Sequence, residues 1–174
     1  MKQLHLIRHA KSSWENPDLS DQQRPLNGRG RHAAPLVGQA MRAEIDVSEC
    51  EMPKFFVSTA RRARETFDGL MIGWPLLSEE VPNYDDALYT FDETDLIDWI
   101  AAANDDLDSI AIIGHNPAMT ELANFLCPTL ALVNLPTAGW LWFCFDDDSW
   151  DACVRSPGRG KCHSMFTPKA RKLL

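Results

Sequence analysis

Short apolar runs alternate along this chain with segments whose apolar residues recur every three or four positions, the pattern of strands interleaved with amphipathic helices. Gln3 to Ile7 reads as the first strand, followed by a polar loop from Lys11 to Arg24 with Pro17, Asp18, Ser20 and Asp21 as its loop residues. From Arg29 to Glu44, the residues Ala33, Leu36, Val37, Ala40 and Met41 share one helical side, and Pro35 within this stretch predicts a first turn that begins late. Lys54 to Ser58 is a second short strand, and Ala60 to Met71 a helix with Ala63, Phe67 and Leu70 inward. Val81 is expected to start a short strand leading into Tyr84–Tyr89, and Thr94 to Ala103 forms a helix on the stripe Leu96, Ile97 and Ile100. Ser109 to Ile113 has the composition of a fully buried strand. After it, Asn116 is expected to cap a helix that has Pro117 in its first position and runs to about Leu126. Trp140–Phe145 and Cys162–Phe166, with the turn Pro157-Gly158 between them, are expected as an antiparallel edge. The alternation as a whole predicts an α/β domain with a mostly parallel sheet.

Length and composition narrow the classes. The 174 residues suit one domain, here expected over residues 1–174, and the 45% hydrophobic and 24% charged content is that of an ordinary globular chain. A net charge of −8 argues against nucleic acid or an anionic membrane as the general partner, since phosphate backbones call for broad basic surfaces. No apolar run reaches the roughly 18 residues that span a bilayer, and His5 interrupts the N-terminal stretch before it can serve as a signal sequence, so a cytoplasmic location is expected. The five cysteines contain no CxxC pair and read as small apolar residues; the spacing of Cys153, Cys162 and His163 fits no compact zinc site. Neither a metal nor a cofactor is expected. Trp140, Trp142 and Trp150 are read as core and edge packing.

The candidate chemistry gathers at three strand-to-helix junctions. The first strand ends in Arg8-His9, the second in Ser58 before a helix bearing Arg61, Arg62 and Arg64, and the third in Gly114-His115. In parallel α/β sheets the carboxyl ends of the strands line a common crevice. Two histidines and one or more arginines meeting there are costly unless they bind an anion, and a phosphoryl group matches the planar fork of arginine. One imidazole can then act as nucleophile while the other hydrogen-bonds the phosphoryl oxygens. The chain has no GxxxxGK[ST] loop, and histidine is taken as the best available nucleophile. Taken singly, each of these residues would be read as structural or as a solvated charge, and for His5, His32 and His163 that reading stands.

These residues also carry a resemblance. Leu6-Ile7-Arg8-His9-Ala10 resembles the Arg-His-Gly signature of the histidine phosphatase (phosphoglycerate mutase-like) superfamily. Ser58-Thr59-Ala60-Arg61-Arg62-Ala63-Arg64-Glu65-Thr66 is similar to its Ser-Pro-x-x-Arg-Ala-x-Gln-Thr motif, and Gly114-His115-Asn116-Pro117 to the motif of its second histidine. Arg8-His9-Ala10-Lys11-Ser12-Ser13-Trp14, Leu19-Ser20-Asp21, Arg24-Pro25-Leu26-Asn27 with Arg29-Gly30, and Asn134-Leu135-Pro136-Thr137 resemble the short SixA-type phosphohistidine phosphatases. The resemblance implies a three-layer α/β/α sandwich and a phosphohistidine intermediate. It implies His9 as nucleophile, Arg8, Arg62 and His115 on the phosphoryl oxygens, and help from the backbone N–H of Asn116. The family's acid falls on Asp86, three residues before Tyr89, one methylene shorter than the usual glutamate, with Asp85 as a rival. Ala10, Thr59 and Glu65 depart from the pattern at its glycine, proline and glutamine. The implied substrate is a phosphorylated protein, such as a histidine phosphotransfer domain or phosphocarrier, or else a small phosphoester; a non-catalytic phosphohistidine-binding domain is the third reading, disfavoured because both histidines are present. A weak acid position and a short chain with little sequence to spare for a lid favour the protein, acted on by a monomer.

Overall fold

A computed structural model describes residues 1–168. One six-stranded sheet organises them, in the order β3-β2-β4-β1-β5-β6. The strands are β1 (Lys2–Arg8), β2 (Lys54–Ser58), β3 (Asn83–Asp85), β4 (Ser109–Gly114), β5 (Trp140–Phe145) and β6 (Lys161–Phe166). β3, β2, β4 and β1 pair in parallel; β5 runs antiparallel to both β1 and β6, as the two C-terminal runs predicted. Every residue of β4 is buried, consistent with its unbroken apolar run at the centre of a parallel sheet.

Helices cover both faces. The helices α1 (Gly28–Ser48) and α2 (Arg61–Gly73) share a core with Ile7, Val57, Ile113, Trp140 and Trp142. On the other face α3 (Glu93–Ala101), α4 (Ala118–Leu126) and α5 (Trp150–Val154) pack with Leu4, Leu6, Ile112, Leu141 and Phe143. Alternate residues of β1 thus feed opposite layers, the period-two rule of a strand buried on both sides. Trp140, Trp142 and Trp150 lie wholly inside. Truncating any of them to alanine is expected to cost about 3–5 kcal/mol.

Three expectations shift. α1 begins at Gly28 rather than late, because the Asn27 side chain accepts the Gly30 N–H at 2.9 Å and fixes the first turn. Pro35 lies inside the helix, and Arg31, whose carbonyl loses its helical partner there, is exposed. The third strand excludes Val81, which is exposed; only Asn83–Asp85 reach the edge of β2. At α4, Pro117 stands at the cap and Asn116 one residue outside it, yet Asn116 Oδ1 still accepts the Thr120 N–H at 3.2 Å. Gly38 is required where α1 meets α2, since a Cβ there would lie 2.3 Å from the Leu70 carbonyl oxygen.

Candidate active site

Strand register brings the three junctions together. Arg8 pairs with Gly114 across β1 and β4, and Val57 pairs with Ile113 across β2 and β4, so His9 and His115 each stand one residue past flush strand ends. Ser58 closes β2 beside them. Backbone bonds hold His9 on both sides: its N–H donates to Gly114 O at 3.0 Å and its carbonyl accepts from Ala138 at 3.2 Å.

Arg62 joins the cluster from the first turn of α2. Its Nε donates to His9 Nε2 at 3.2 Å, and its Nη2 faces His115 Nδ1, also at 3.2 Å. A guanidinium only donates, so both of those imidazole nitrogens are lone-pair acceptors. The remaining nitrogens agree. His9 Nδ1–H donates to the Ala10 carbonyl at 2.7 Å, and His115 Nε2–H donates to Ser58 Oγ at 2.7 Å. One arginine thereby selects the tautomer of two neutral histidines whose ring centres are 5.1 Å apart. Burial, aided by the charges of Arg62 and Arg8, lowers His9 from its usual 6.5 to about 4. Burial, then His9 and the same two arginines, lowers His115 to about 2. His9 Nε2 is therefore an unprotonated nitrogen, 8% exposed as a residue, beside a buried cation.

The other expected residues divide. Arg8 is close enough for its charge to act on both histidines, but its Nη1 donates to the Leu135 carbonyl at 2.8 Å, while its Nε is buried without a partner. That Nε–H is a donor with its hydrogen-bonding capacity unspent. Asn116 Nδ2 donates to the same Leu135 carbonyl and to Asn134 Oδ1, both at 2.9 Å, so its side chain fixes the 134–135 loop. Asp85 and Asp86 are separated cleanly. Asp85 uses Oδ1 on the Ala87 N–H and Oδ2 on the Trp99 indole, both at 2.9 Å, which leaves it structural. Asp86 is exposed and accepts from the Thr59 hydroxyl at 2.5 Å, on the side of the site where β2 and β3 end. Glu65, where the motif has glutamine, pairs with Arg61 at 2.7 Å and accepts the Leu26 N–H at 2.7 Å; neither bond touches the histidines.

Sequence reasoning missed two residues. Asp21 Oδ2 pairs with Arg62 Nη2 at 2.9 Å, and the Tyr89 hydroxyl donates to the same oxygen at 2.5 Å. Burial raises the Asp21 carboxyl, but the Tyr89 and Arg62 hydrogen bonds outweigh it and hold the group below its usual range. Asp21 was visible only as part of a matching segment and Tyr89 only as a landmark for the acid. A cavity of about 470 Å³ lies next to this segment, with Leu19, Gln22, Thr59, Arg61 and Arg64 in its wall. Neither histidine lines it, so the chemistry is placed by the His9–Arg62–His115 contacts and not by that hollow. Cys153, Cys162 and His163 form no cluster: among the described residues no three His, Cys, Asp or Glu side chains are grouped to hold a metal ion. No helix among them is long and apolar enough to cross a membrane.

No family model matches the chain. An uncharacterised protein of Mycobacterium leprae is 34% identical over 120 residues, 67% of this chain and 68% of its own. Among solved structures, a Nakamurella multipartitia protein assigned as the phosphohistidine phosphatase SixA superposes with a TM-score of 0.78 at 20% identity, over 96% of both chains. A mycobacterial glucosyl-3-phosphoglycerate phosphatase superposes with a TM-score of 0.64 at 14% identity, over 94% of this chain and 98% of its own. The neighbours in fold thus span protein and small-molecule phosphatases. The chain belongs to one family with the Mycobacterium leprae protein, and its fold is that of the phosphoglycerate mutase-like histidine phosphatases.

Proposed function

We propose that this chain is a metal-independent phosphatase that carries the phosphoryl group on His9 and takes it from a phosphorylated histidine of a partner protein. The observation that supports this most directly is the state of His9: its Nδ1–H is tied to the Ala10 carbonyl, and its Nε2 lone pair faces the phosphoryl-binding fork of Arg62. In the first step the Nε2 lone pair attacks phosphorus in line. The bond from phosphorus to the substrate imidazole breaks, and its electron pair goes to that imidazole, which takes a proton. Water then attacks phospho-His9, giving a proton to the Asp86 carboxylate that protonated the leaving imidazole, releasing inorganic phosphate and returning the lone pair to Nε2. Arg62, the Arg8 Nε–H and the Asn116 backbone N–H balance the equatorial oxygens. His115, its basicity restored by the arriving dianion, takes a proton from solvent at Nδ1 and donates it in a hydrogen bond to a phosphoryl oxygen.

Asp86 is the acid in this reading, and its setting bears on the substrate. It is exposed, and one carboxylate oxygen is committed to Thr59. An imidazole leaves readily once protonated and asks little of such a group, whereas an alkoxide asks much. The experiment is phosphate release from a phosphohistidine peptide beside p-nitrophenyl phosphate and a panel of sugar phosphates, with EDTA present and with His9→Ala as control. Faster release from the peptide, insensitive to EDTA and lost in the variant, is the expected result. Preference for a sugar phosphate would move the substrate to small-molecule metabolism, and activity restored only by added metal would overturn the mechanism.

A further inference from the structure

Arg62 presents two edges, and they are bound differently. The inner edge, Nε and Nη2, faces His9 Nε2 and His115 Nδ1 at 3.2 Å each. The outer edge, Nη1 and Nη2, is held by Asp21, whose backbone carbonyl accepts from Nη1 at 2.6 Å and whose Oδ2 accepts from Nη2 at 2.9 Å. Asp21 is the one carboxylate within ion-pair reach of this arginine among the described residues. Tyr89 braces it, with its hydroxyl on Oδ2 at 2.5 Å and its ring edge-on to His115 at 5.4 Å.

A carboxylate on the phosphate-binding arginine is unfavourable for binding a dianion, because it offsets the charge that attracts the ligand. Its benefit lies in geometry. Asp21 grips the guanidinium at two points and leaves it no other orientation in which its donors are satisfied. We propose that Asp21 is a positioning residue that fixes the outer edge of Arg62, so that the inner edge stays aimed at the phosphoryl group on His9, and that Tyr89 fixes Asp21 in turn. Asp21 stands on a single 3-10 turn, Asp21–Gln23, outside the sheet scaffold, which is why its carboxylate needs the second tether. Affinity for anions is lowered and turnover is raised, since a donor displaced by a fraction of an ångström loses much of its effect in the transition state. The inference rests on the phosphoryl-transfer reading of His9.

The test compares Asp21→Asn, Asp21→Glu and Tyr89→Phe with the unaltered protein, using p-nitrophenyl phosphate turnover and the binding of inorganic phosphate by titration calorimetry. Asp21→Asn is expected to lower kcat at least about tenfold while binding phosphate as tightly as the unaltered protein or more tightly. Asp21→Glu recovers part of the turnover, and Tyr89→Phe lowers kcat about threefold with phosphate affinity unchanged. A kcat for Asp21→Asn within about twofold of the unaltered protein overturns the proposal, and so does a loss of phosphate affinity as large as the loss of kcat, the outcome a merely structural contact would give. Should the asparagine variant fail to fold, Tyr89→Phe decides, because removal of one hydroxyl leaves the packing in place; an unchanged kcat there overturns the proposal. Turnover that survives His9→Ala would overturn the phosphatase reading instead, while weaker phosphate binding in Asp21→Asn would still count against Asp21 alone.

Discussion

The two sides of the proposed phosphoryl position are built to different standards. On the nucleophile side, His9, Arg62 and His115 are buried, and every ring nitrogen has an assigned partner. On the leaving-group side, Asp86 stands exposed on a 3-10 turn with its carboxylate committed to one hydroxyl. Charge stabilisation depends on fixed dipoles and gains most from a dry, pre-set site. Proton delivery tolerates more freedom and can be shared with water. A molecule that invests its order in the first and leaves the second open suits a substrate whose leaving group needs little protonation.

Breaking the ordered side has the largest expected effect. His9→Ala should abolish turnover of every substrate, since it removes the Nε2 lone pair proposed to attack phosphorus; phosphate release from both peptide and p-nitrophenyl phosphate checks this. Arg62→Ala should lower kcat at least about 100-fold, as loss of a preorganised charge partner does. Arg62→Lys should restore little of it, because an ammonium cannot present the two edges that His9, His115 and Asp21 use.

The pH profile sharpens the contrast. With His9 lowered from 6.5 to about 4, the acid limb of kcat/KM should fall near pH 4. At pH 5 an unperturbed histidine would already be about 30-fold short of its neutral form. A limb at pH 6.5 would mean that the ring titrates as if exposed. The same shift destabilises the fold in acid. Between about 4 and 6.5 the unfolded chain takes up a proton on His9 that the folded chain refuses, so stability falls as pH drops through 6.5. His5, lowered by burial to about 3, and His115 act in the same sense, each by up to about 1.4 kcal/mol per pH unit. Denaturant titrations at pH 7 and pH 5 measure it.

The open side yields the smallest effect and the most informative one. Asp86→Asn should change phosphohistidine hydrolysis by less than about threefold and p-nitrophenyl phosphate hydrolysis little more, but should slow alkyl phosphates about tenfold or beyond. Equal losses on all three would mean that Asp86 supports structure through Thr59 and delivers no proton.

What the sequence disclosed follows sequence distance. The strands, the helices and the three junctions were readable because periodicity and strand ends are local signals. Arg62 is set apart from Arg61 and Arg64 only by its place in the motif the chain resembles; the structure puts it on the helical side of Ala63, Thr66 and Phe67, all buried. Asp21 and Tyr89 were not readable, because the contacts that matter to them span 41 and 68 residues and arise from a loop and a turn. Asp85 and Asp86 could not be told apart by spacing; only the Trp99 indole, which claims Asp85, separates them. The late start expected for α1 failed for a local reason, the cap supplied by Asn27.

The backbone of His9 is laced between Gly114 on one side and Ala138 on the other, at the centre of the sheet. The proposed nucleophile, set there, has no private way of loosening. Its amide should be among the slowest in the chain to exchange with solvent, opening only when the whole sheet opens. Heat or denaturant should therefore not free His9 ahead of the sheet: any turnover lost before the sheet opens is lost at the turns that carry Asp21 and Asp86, and the exchange of the His9 amide becomes a direct gauge of how much native sheet survives.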